Sequence, residues 1–170
     1  YVADEALEIA VDIPDSVRSL LLVEVDGDKA SMDKSLASIR RVLGQMATTL
    51  IESEHGEELW ELRRHLSPAV ARIRPNKVNE DIVVPRSRVA EYLGAIEQLQ
   101  ADCGLPIVCF GHVGDGNIHV NLMMNAEDSS EVKRSEKAKR RIFELAVEMG
   151  GTISGEHGIG IMKSEFLPLA

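Results

Sequence analysis

The spacing of apolar residues along the chain predicts four helices. In residues 30–46 apolar side chains recur at every third or fourth position, which is the period of an amphipathic helix. Residues 59–70 show the same period, and this second helix is predicted to end near Arg74-Pro75. A third helix is predicted to be capped by Ser87 and to end at Gly104. Residues 129–149 form a fourth, long helix with a cluster of basic residues on it, which we interpret as a solvated face or a docking surface for an acidic partner.

Short apolar or β-branched runs predict five strands. They are residues 19–25, 48–51, 81–85, 105–110 and 117–124. Asp115-Gly116 lies between the last two runs and predicts a two-residue hairpin turn, because Asp-Gly tolerates the positive φ angles that such a turn needs. Since strict βαβ repeats are absent, the sequence predicts an α+β fold, a ferredoxin-like antiparallel sheet with helices packed mainly on one face.

Composition and charge narrow the class of protein. Of the 170 residues, 44% are hydrophobic and 28% are charged, which fits one soluble globular domain. The formal net charge of −9 argues against a nucleic-acid partner, because phosphate binding needs clustered positive charge. Two cysteines without CxxC spacing, and the lack of a long apolar stretch, favour a cytoplasmic protein. Because the chain does not begin with Met, we expect it to be a piece of a longer protein.

Two glycine-rich segments carry candidate metal-binding chemistry. Residues 111–119 (GHVGDGNIH) and 155–160 (GEHGIG) contain three of the five histidines. A two-residue turn would make His112 and His119 direct cross-strand partners, close enough for both imidazoles to bind one ion. Phe110 and Asn121 would then be the next pair on the same face, so that Asn121 could hold a substrate oxygen. A hydrogen-bonded histidine pair without a metal is the alternative interpretation.

Glu156 and His157 extend this candidate site. Two imidazoles, one carboxylate and an open position are the ligand set of a catalytic zinc ion, which predicts Glu156 as the third ligand. His157 follows directly and would point away from Glu156 in an extended backbone, so we interpret it as a base beside the metal or as a loop histidine that caps backbone. The basic residues near Arg63 are either solvated surface or anchors for a substrate carboxylate.

Both glycine-rich segments resemble the signatures of a known family. Residues 111–121 (GHVGDGNIHVN) and 150–163 (GGTISGEHGIGIMK) are similar to two motifs of the C-terminal domain of FAD-linked oxidases. This family includes glycolate oxidase flavoprotein subunits, D-lactate dehydrogenases and D-2-hydroxyglutarate dehydrogenases. Residues 60–63 and 81–87 also fit, so we expect residues 1–170 to be this substrate-binding domain. The resemblance implies a longer protein with an N-terminal FAD-binding domain and a C-terminal tail, both missing here.

The resemblance assigns functions to individual residues. It implies metal ligands at His112, His119 and Glu156, a base at His157, and substrate contacts at Arg63 and Asn121. Ser67 takes the place of a substrate-binding threonine found in some members. Some members carry a lysine two residues before the position of Asp81, where this chain has Asn79, with Lys77 nearby. This departure disfavours a larger diacid substrate.

The reaction implied is oxidation of a D-2-hydroxy acid, of the glycolate or D-lactate type, to the 2-keto acid. FAD and a divalent metal, zinc in the first instance, would be the cofactors, and an electron-acceptor protein or a quinone would reoxidise the flavin. The resemblance leaves open a homodimer and a peripheral association of the whole protein with a membrane. Two other functions also stay open: a metal-dependent hydrolase, and a non-catalytic metal-binding or oligomerisation module. We expect the isolated 170-residue chain to be inactive.

Overall fold

The computed structural model describes residues 17–45, residue 52 and residues 56–170. Contacts within the chain divide it into two compact units, one within Ala3–Leu66 and the other containing Ser67–Ala170. Among the described residues, no helix has the length and apolar character that crossing a membrane requires.

The first unit contains helix α1 (Lys29–Leu43), which confirms the helix predicted from residue 30. Asp28 caps it by accepting a hydrogen bond from the backbone N–H of Ser31. The strand predicted at residues 19–25 is wrong: residues 17–26 have no regular structure, and Leu20 and Leu21 are exposed. A strand needs a hydrogen-bonded neighbour, and no strand among the described residues pairs with this run. The strand predicted at residues 48–51 lies outside the described residues.

Helix α2 (Glu57–Val70) begins in the first unit and ends in the second, before the predicted end near Arg74-Pro75. The chain turns after Val70, where the backbone N–H groups of Arg72 and Ile73 donate to the carbonyl oxygens three residues back. The second unit then contains β1 (Asn76–Val83), α3 (Val89–Cys103), β2 (Ile107–His112), β3 (Asn117–Met124) and α4 (Ser129–Glu148). The three strands form one antiparallel sheet in the order β1-β3-β2, which confirms the predicted α+β class. Short 3-10 helices span Arg86–Arg88 and Ser164–Leu169.

Alternation along the strands gives the sheet one apolar and one polar face. Side chains of the apolar face pack with α3 and α4 in the main core, as the prediction of helices on one face requires. Its largest fully buried members are Tyr92, Phe143, Ile82, Ile142 and Ile153. The opposite face carries Asp81, His119 and Asn121, all buried and polar. The fold therefore places the candidate chemistry on the face of the sheet that does not form this core.

Local capping at the start of α3 differs from the prediction. Gly104 does end the helix in a left-handed conformation with φ of 63°, as predicted. Ser87 is not the N-cap: Arg88 occupies that position, and no side chain caps the helix there. The 3-10 helix after Pro85 replaces the cap, since the backbone N–H of Arg88 donates to the Pro85 carbonyl oxygen at 2.7 Å.

Candidate functional site

The hairpin between β2 and β3 places both candidate histidines on the polar face of the sheet. Its register pairs His112 with Asn117 and Phe110 with His119, so the predicted direct pairing of His112 with His119 is wrong, as is that of Phe110 with Asn121. The observed register differs from the predicted one by two residues, and a shift of two leaves every side chain on the same face. The two histidines are therefore diagonal neighbours, with ring centroids 5.9 Å apart in an edge-to-face arrangement.

The hairpin loop explains the shift in register. The loop has four residues, 113–116, instead of the predicted two, and its backbone closes through a hydrogen bond from Asp115 N–H to the His112 carbonyl oxygen at 3.0 Å. Gly116 has φ of 75°, whereas no residue other than glycine has a positive φ in the described chain, so Asp115 cannot supply the first position of a two-residue turn. The backbone of Gly116 lies against Val84, where a Cβ would overlap the Val84 carbonyl oxygen.

Glu156 joins the two histidines from a distant loop. One ligand atom from each of His112, His119 and Glu156 lies within 4.8 Å of the other two. His112 Nε2 is 3.8 Å from Glu156 Oε1. Ligand atoms about 2.0–2.2 Å from a tetrahedral zinc ion are roughly 3.3 Å apart, so modest side-chain rotation would bring these three around one ion. His112 and Glu156 are exposed, which leaves an open side for a further ligand.

His119 has the environment of a neutral metal ligand. It is 7% exposed, and its Nδ1 is buried with no hydrogen-bond partner among the described residues. Burial, reinforced by the neighbouring His157, lowers the pKa of His119, which favours the uncharged imidazole. Because a metal binds the neutral ring, a buried unpartnered nitrogen beside a second imidazole and a carboxylate fits a divalent cation.

His157 lies beside these three residues and outside the ligand cluster. Its ring stacks on the His119 ring, with centroids 5.4 Å apart and an interplanar angle of 18°. Its Nδ1 is 3.6 Å from Asp81 Oδ1, and about half of the side chain is exposed. A carboxylate near Nδ1 favours a proton on that nitrogen, so Nε2 is the nitrogen that can accept one.

The loop that carries Glu156 and His157 is anchored by two residues that the sequence analysis did not assign to the site. Asp81 is fully buried, and its Oδ2 accepts hydrogen bonds from the backbone N–H groups of Gly155, Glu156 and His157 at 2.8, 2.6 and 2.9 Å. Lys163 is also buried and donates to Asp81 Oδ1 at 2.6 Å. Burial opposes ionisation of Asp81, but these hydrogen bonds outweigh it and hold the pKa of the carboxyl well below its usual range.

The residues predicted as substrate contacts are distributed differently. Asn121 is fully buried, its Oδ1 accepts a hydrogen bond from Asn79 Nδ2 at 2.7 Å, and its own amide donates to the Val108 carbonyl oxygen at 3.1 Å. Lys77 Nζ donates to Ser67 Oγ at 2.9 Å. Lys77, Asn79 and Asp81 alternate along β1, so they share one face of the strand. Arg63 lies on α2 within the first unit, and its role as a substrate contact stays a prediction.

Comparison with known proteins shows which family shares these features. A family model described as FAD linked oxidases, C-terminal domain, matches residues 2–170. Glycolate oxidase subunit GlcD of Bacillus subtilis (strain 168) is 36% identical to this chain over 163 residues, which are 94% of this chain and 35% of that protein. D-lactate dehydrogenase of Anaerostipes hadrus is 34% identical over 112 residues, 65% of this chain and 24% of that protein. D-2-hydroxyglutarate dehydrogenase of Stutzerimonas stutzeri (strain A1501) is 33% identical over 115 residues, also 65% of this chain and 24% of that protein.

These relatives are longer proteins, and the chain spans 24% to 35% of the length of the three compared here. The match to the family model covers nearly the whole chain, which confirms the resemblance drawn from the two glycine-rich motifs. The chain belongs to the family of FAD-linked oxidases, as their C-terminal domain.

Proposed function

We propose that this chain is the metal- and substrate-binding domain of an FAD-dependent dehydrogenase that oxidises a D-2-hydroxy acid, of the glycolate or D-lactate type, to the 2-keto acid. The observation that carries the proposal is the convergence of His112, His119 and Glu156, with His157 stacked beside them. The FAD would be bound mainly by a part of the protein that lies outside this chain.

The ligand set points to a divalent cation, with zinc as the first candidate. Two imidazole nitrogens, one carboxylate oxygen and an open side are typical of catalytic zinc. Bound there, the cation would polarise the substrate hydroxyl and lower its pKa. The protein's part is to hold the cation between buried His119 and the exposed side chains of His112 and Glu156. The hydroxyl and one carboxylate oxygen of the substrate would then approach the cation from the exposed side.

His157 is proposed as the base that takes the hydroxyl proton. Its ring is held between His119, on which it stacks, and Asp81, which faces Nδ1. The proton would therefore pass from the substrate oxygen to Nε2. An FAD bound by the whole protein would supply the two-electron acceptor: it would take the hydride from the α-carbon, while the hydroxyl proton would go to His157. This chain's own part would be to bind and orient the 2-hydroxy acid and to accept that proton.

Substrate contacts are proposed from the family resemblance. Arg63 is proposed to bind the substrate carboxylate, as its planar guanidinium suits bidentate contact, and Ser67 and Asn121 are proposed to bind substrate oxygens. Asn121 lies on the face of the sheet that carries His119, but its amide is fully buried and bonded to Asn79 and to the Val108 carbonyl oxygen, so a substrate would have to displace one of these hydrogen bonds. Lys77, bonded to Ser67, adds a positive charge on that face.

The alternative functions share the metal ligands but lack support from the family. A metal-dependent hydrolase would need no flavin, and a non-catalytic module would need no base at His157. Membership in FAD-linked oxidases therefore favours the redox function.

The test uses the full-length protein loaded with zinc and assayed with glycolate, D-lactate and D-2-hydroxyglutarate. His157→Asn is expected to lower kcat by a factor of about 10² to 10⁴, the usual contribution of a general base, without changing the zinc content. His65→Asn is the matched control, because His65 lies on α2 and its Nδ1 is 2.8 Å from the Glu61 carbonyl oxygen. Full activity of His157→Asn would refute the proposed base. Oxidation of a 2-hydroxy acid by the isolated chain, without a flavoprotein domain, would refute the proposal that the FAD is bound mainly outside this chain.

A further inference from the structure

We propose that Asp81 is a positioning residue that fixes Glu156 and His157 against His119, and that Lys163 holds the Asp81 carboxylate in place for this purpose. This inference rests on the proposed function, because it assigns a role to Glu156 and His157. Asp81 itself contacts neither substrate nor metal in this account, and it acts through the backbone of the loop.

The segment that carries Glu156 and His157 has no regular secondary structure of its own. Residues 154–160 contain three glycines and belong to no helix or strand, and the side chains of Glu156 and His157 are about half exposed. One oxygen of Asp81 accepts hydrogen bonds from three consecutive N–H groups, at residues 155, 156 and 157. Three successive amides aimed at one carboxylate oxygen fix the backbone direction on both sides of Glu156.

The same residue ties this loop to the sheet at the position of the buried ligand. Asp81 is the direct antiparallel partner of His119 in the β1/β3 register, so both side chains leave the sheet on one face. The distance between His119 and the backbone of Glu156 is therefore fixed by the strand pairing of Asp81 with His119 and by the hydrogen bond from Glu156 N–H to the Asp81 carboxylate. Asp81 Oδ1 also faces Nδ1 of His157 at 3.6 Å, which orients the ring of the proposed base.

Lys163 keeps the Asp81 carboxylate directed at the loop. Its Nζ donates to Asp81 Oδ1 at 2.6 Å, to the Asp81 carbonyl oxygen at 3.0 Å and to the Ile153 carbonyl oxygen at 3.0 Å. The ammonium group therefore bridges both ends of the contact, the strand at Asp81 and the loop at Ile153. Without this cation the Asp81 carboxylate would keep the hydrogen bonds from residues 155–157 but lose its nearest positive charge, which raises the cost of burying it.

Glu80 provides a matched control one residue away. It is also buried, its Oε2 is 3.6 Å from Lys163 Nζ, and its Oε1 is 3.0 Å from Lys139 Nζ. Its side chain lies on the opposite face of β1, and it accepts no hydrogen bond from residues 155–157 in the described structure. Glu80→Gln therefore removes a buried negative charge close to Lys163, as Asp81→Asn does. It leaves the three hydrogen bonds from the loop to Asp81 in place.

The first experiment measures backbone hydrogen exchange by NMR in the metal-free full-length wild-type protein, so it needs no variant. The amides of Gly155, Glu156 and His157 are expected to have protection factors at least tenfold above that of Gly158, whose N–H has no acceptor among the described residues. Equal protection at all four amides would overturn the proposal.

The second experiment measures zinc affinity by competition with a chromophoric chelator, in full-length Asp81→Asn and Glu80→Gln variants whose folding is verified by circular dichroism. Asp81→Asn is expected to weaken zinc binding by about 10- to 100-fold, the usual effect of losing a residue that orients a metal ligand, and Glu80→Gln by less than about threefold. Equal loss in both variants, or wild-type affinity in folded Asp81→Asn, would overturn the proposal. Neither readout uses turnover, so a failure to oxidise 2-hydroxy acids would refute the proposed function separately.

Discussion

Gly111 is the residue in the hairpin where substitution tests the observed register most severely. It pairs with Ile118 and directly precedes His112. A Cβ added there would overlap the carbonyl oxygen of Asn117 and lie 3.0 Å from Ile118 Cα. Both atoms belong to the backbone of β3, so neither can rotate aside, and Gly111→Ala must push β2 away from β3 next to the two histidines.

The expected cost follows from this overlap. Real Cβ atoms essentially never come within 3.0 Å of another heavy atom, and the Cβ that Gly111→Ala adds would lie well within that distance of the Asn117 carbonyl oxygen. That oxygen belongs to a paired strand, so the strand itself has to move. Overpacking of this kind costs about 2–3 kcal/mol, which for a protein of this size lowers Tm by roughly 5–10 °C. Separation of the strands also moves His112 relative to His119, so zinc affinity is expected to fall by about tenfold.

Gly114 in the same hairpin provides the matched control. A Cβ there would meet nothing within 4 Å, and the residue does not have a positive φ. Gly114→Ala is therefore expected to change stability by less than about 0.5 kcal/mol and to leave zinc affinity unchanged. The measurements are thermal unfolding followed by circular dichroism, and zinc titration against a chelator. If Gly111→Ala unfolded at the wild-type temperature and bound zinc normally, the register of the hairpin would be wrong.

Two further predictions concern the core that supports the site. Tyr92→Phe removes the buried hydroxyl that donates to the Ile142 carbonyl oxygen at 3.1 Å. The free energy of unfolding, measured by denaturant titration, is expected to fall by about 1–2 kcal/mol, and unchanged stability would contradict this contact between α3 and α4. Burial raises the pKa of the Cys109 thiol to about 12, so this half-buried thiol is neutral at pH 8. Iodoacetamide is expected to label Cys109 at least tenfold more slowly in the folded protein than in the unfolded chain, as peptide mass spectrometry can establish, and equal labelling rates would contradict the raised pKa.

The parts of the fold that could be predicted are those with a strong local signal. Helix α1 and the C-terminal end of α3 follow from helical periodicity and from a glycine at the C-cap, which act within a few residues. The run at residues 19–25 has strand-like composition, but a strand also needs a partner, and composition does not supply one. β1 begins at Asn76, five residues before the predicted start, because its polar residues pair with β3 in a way that a search for apolar runs misses.

The candidate site could be predicted where it depends on residue type and face, and not where it depends on distant contacts. His112, His119 and Glu156 converge even though the predicted register was wrong, because a shift of two residues preserves the face. The four-residue loop depends on the packing of Gly116 against Val84, which the Asp-Gly signal does not report. Lys163 bonds to Asp81 from 82 positions away, so no local pattern indicates this pair. The one local signal for Asp81 is that a charged residue begins a β-branched run.

The most direct test of the account is an X-ray crystal structure of the zinc-loaded full-length protein, with anomalous data collected on both sides of the zinc absorption edge. One strong anomalous peak is expected about 2.0–2.2 Å from a nitrogen of His112, a nitrogen of His119 and an oxygen of Glu156, with His157 beside it and not coordinated. A peak bound by other residues, or no peak between these three side chains in a zinc-saturated crystal, would contradict it.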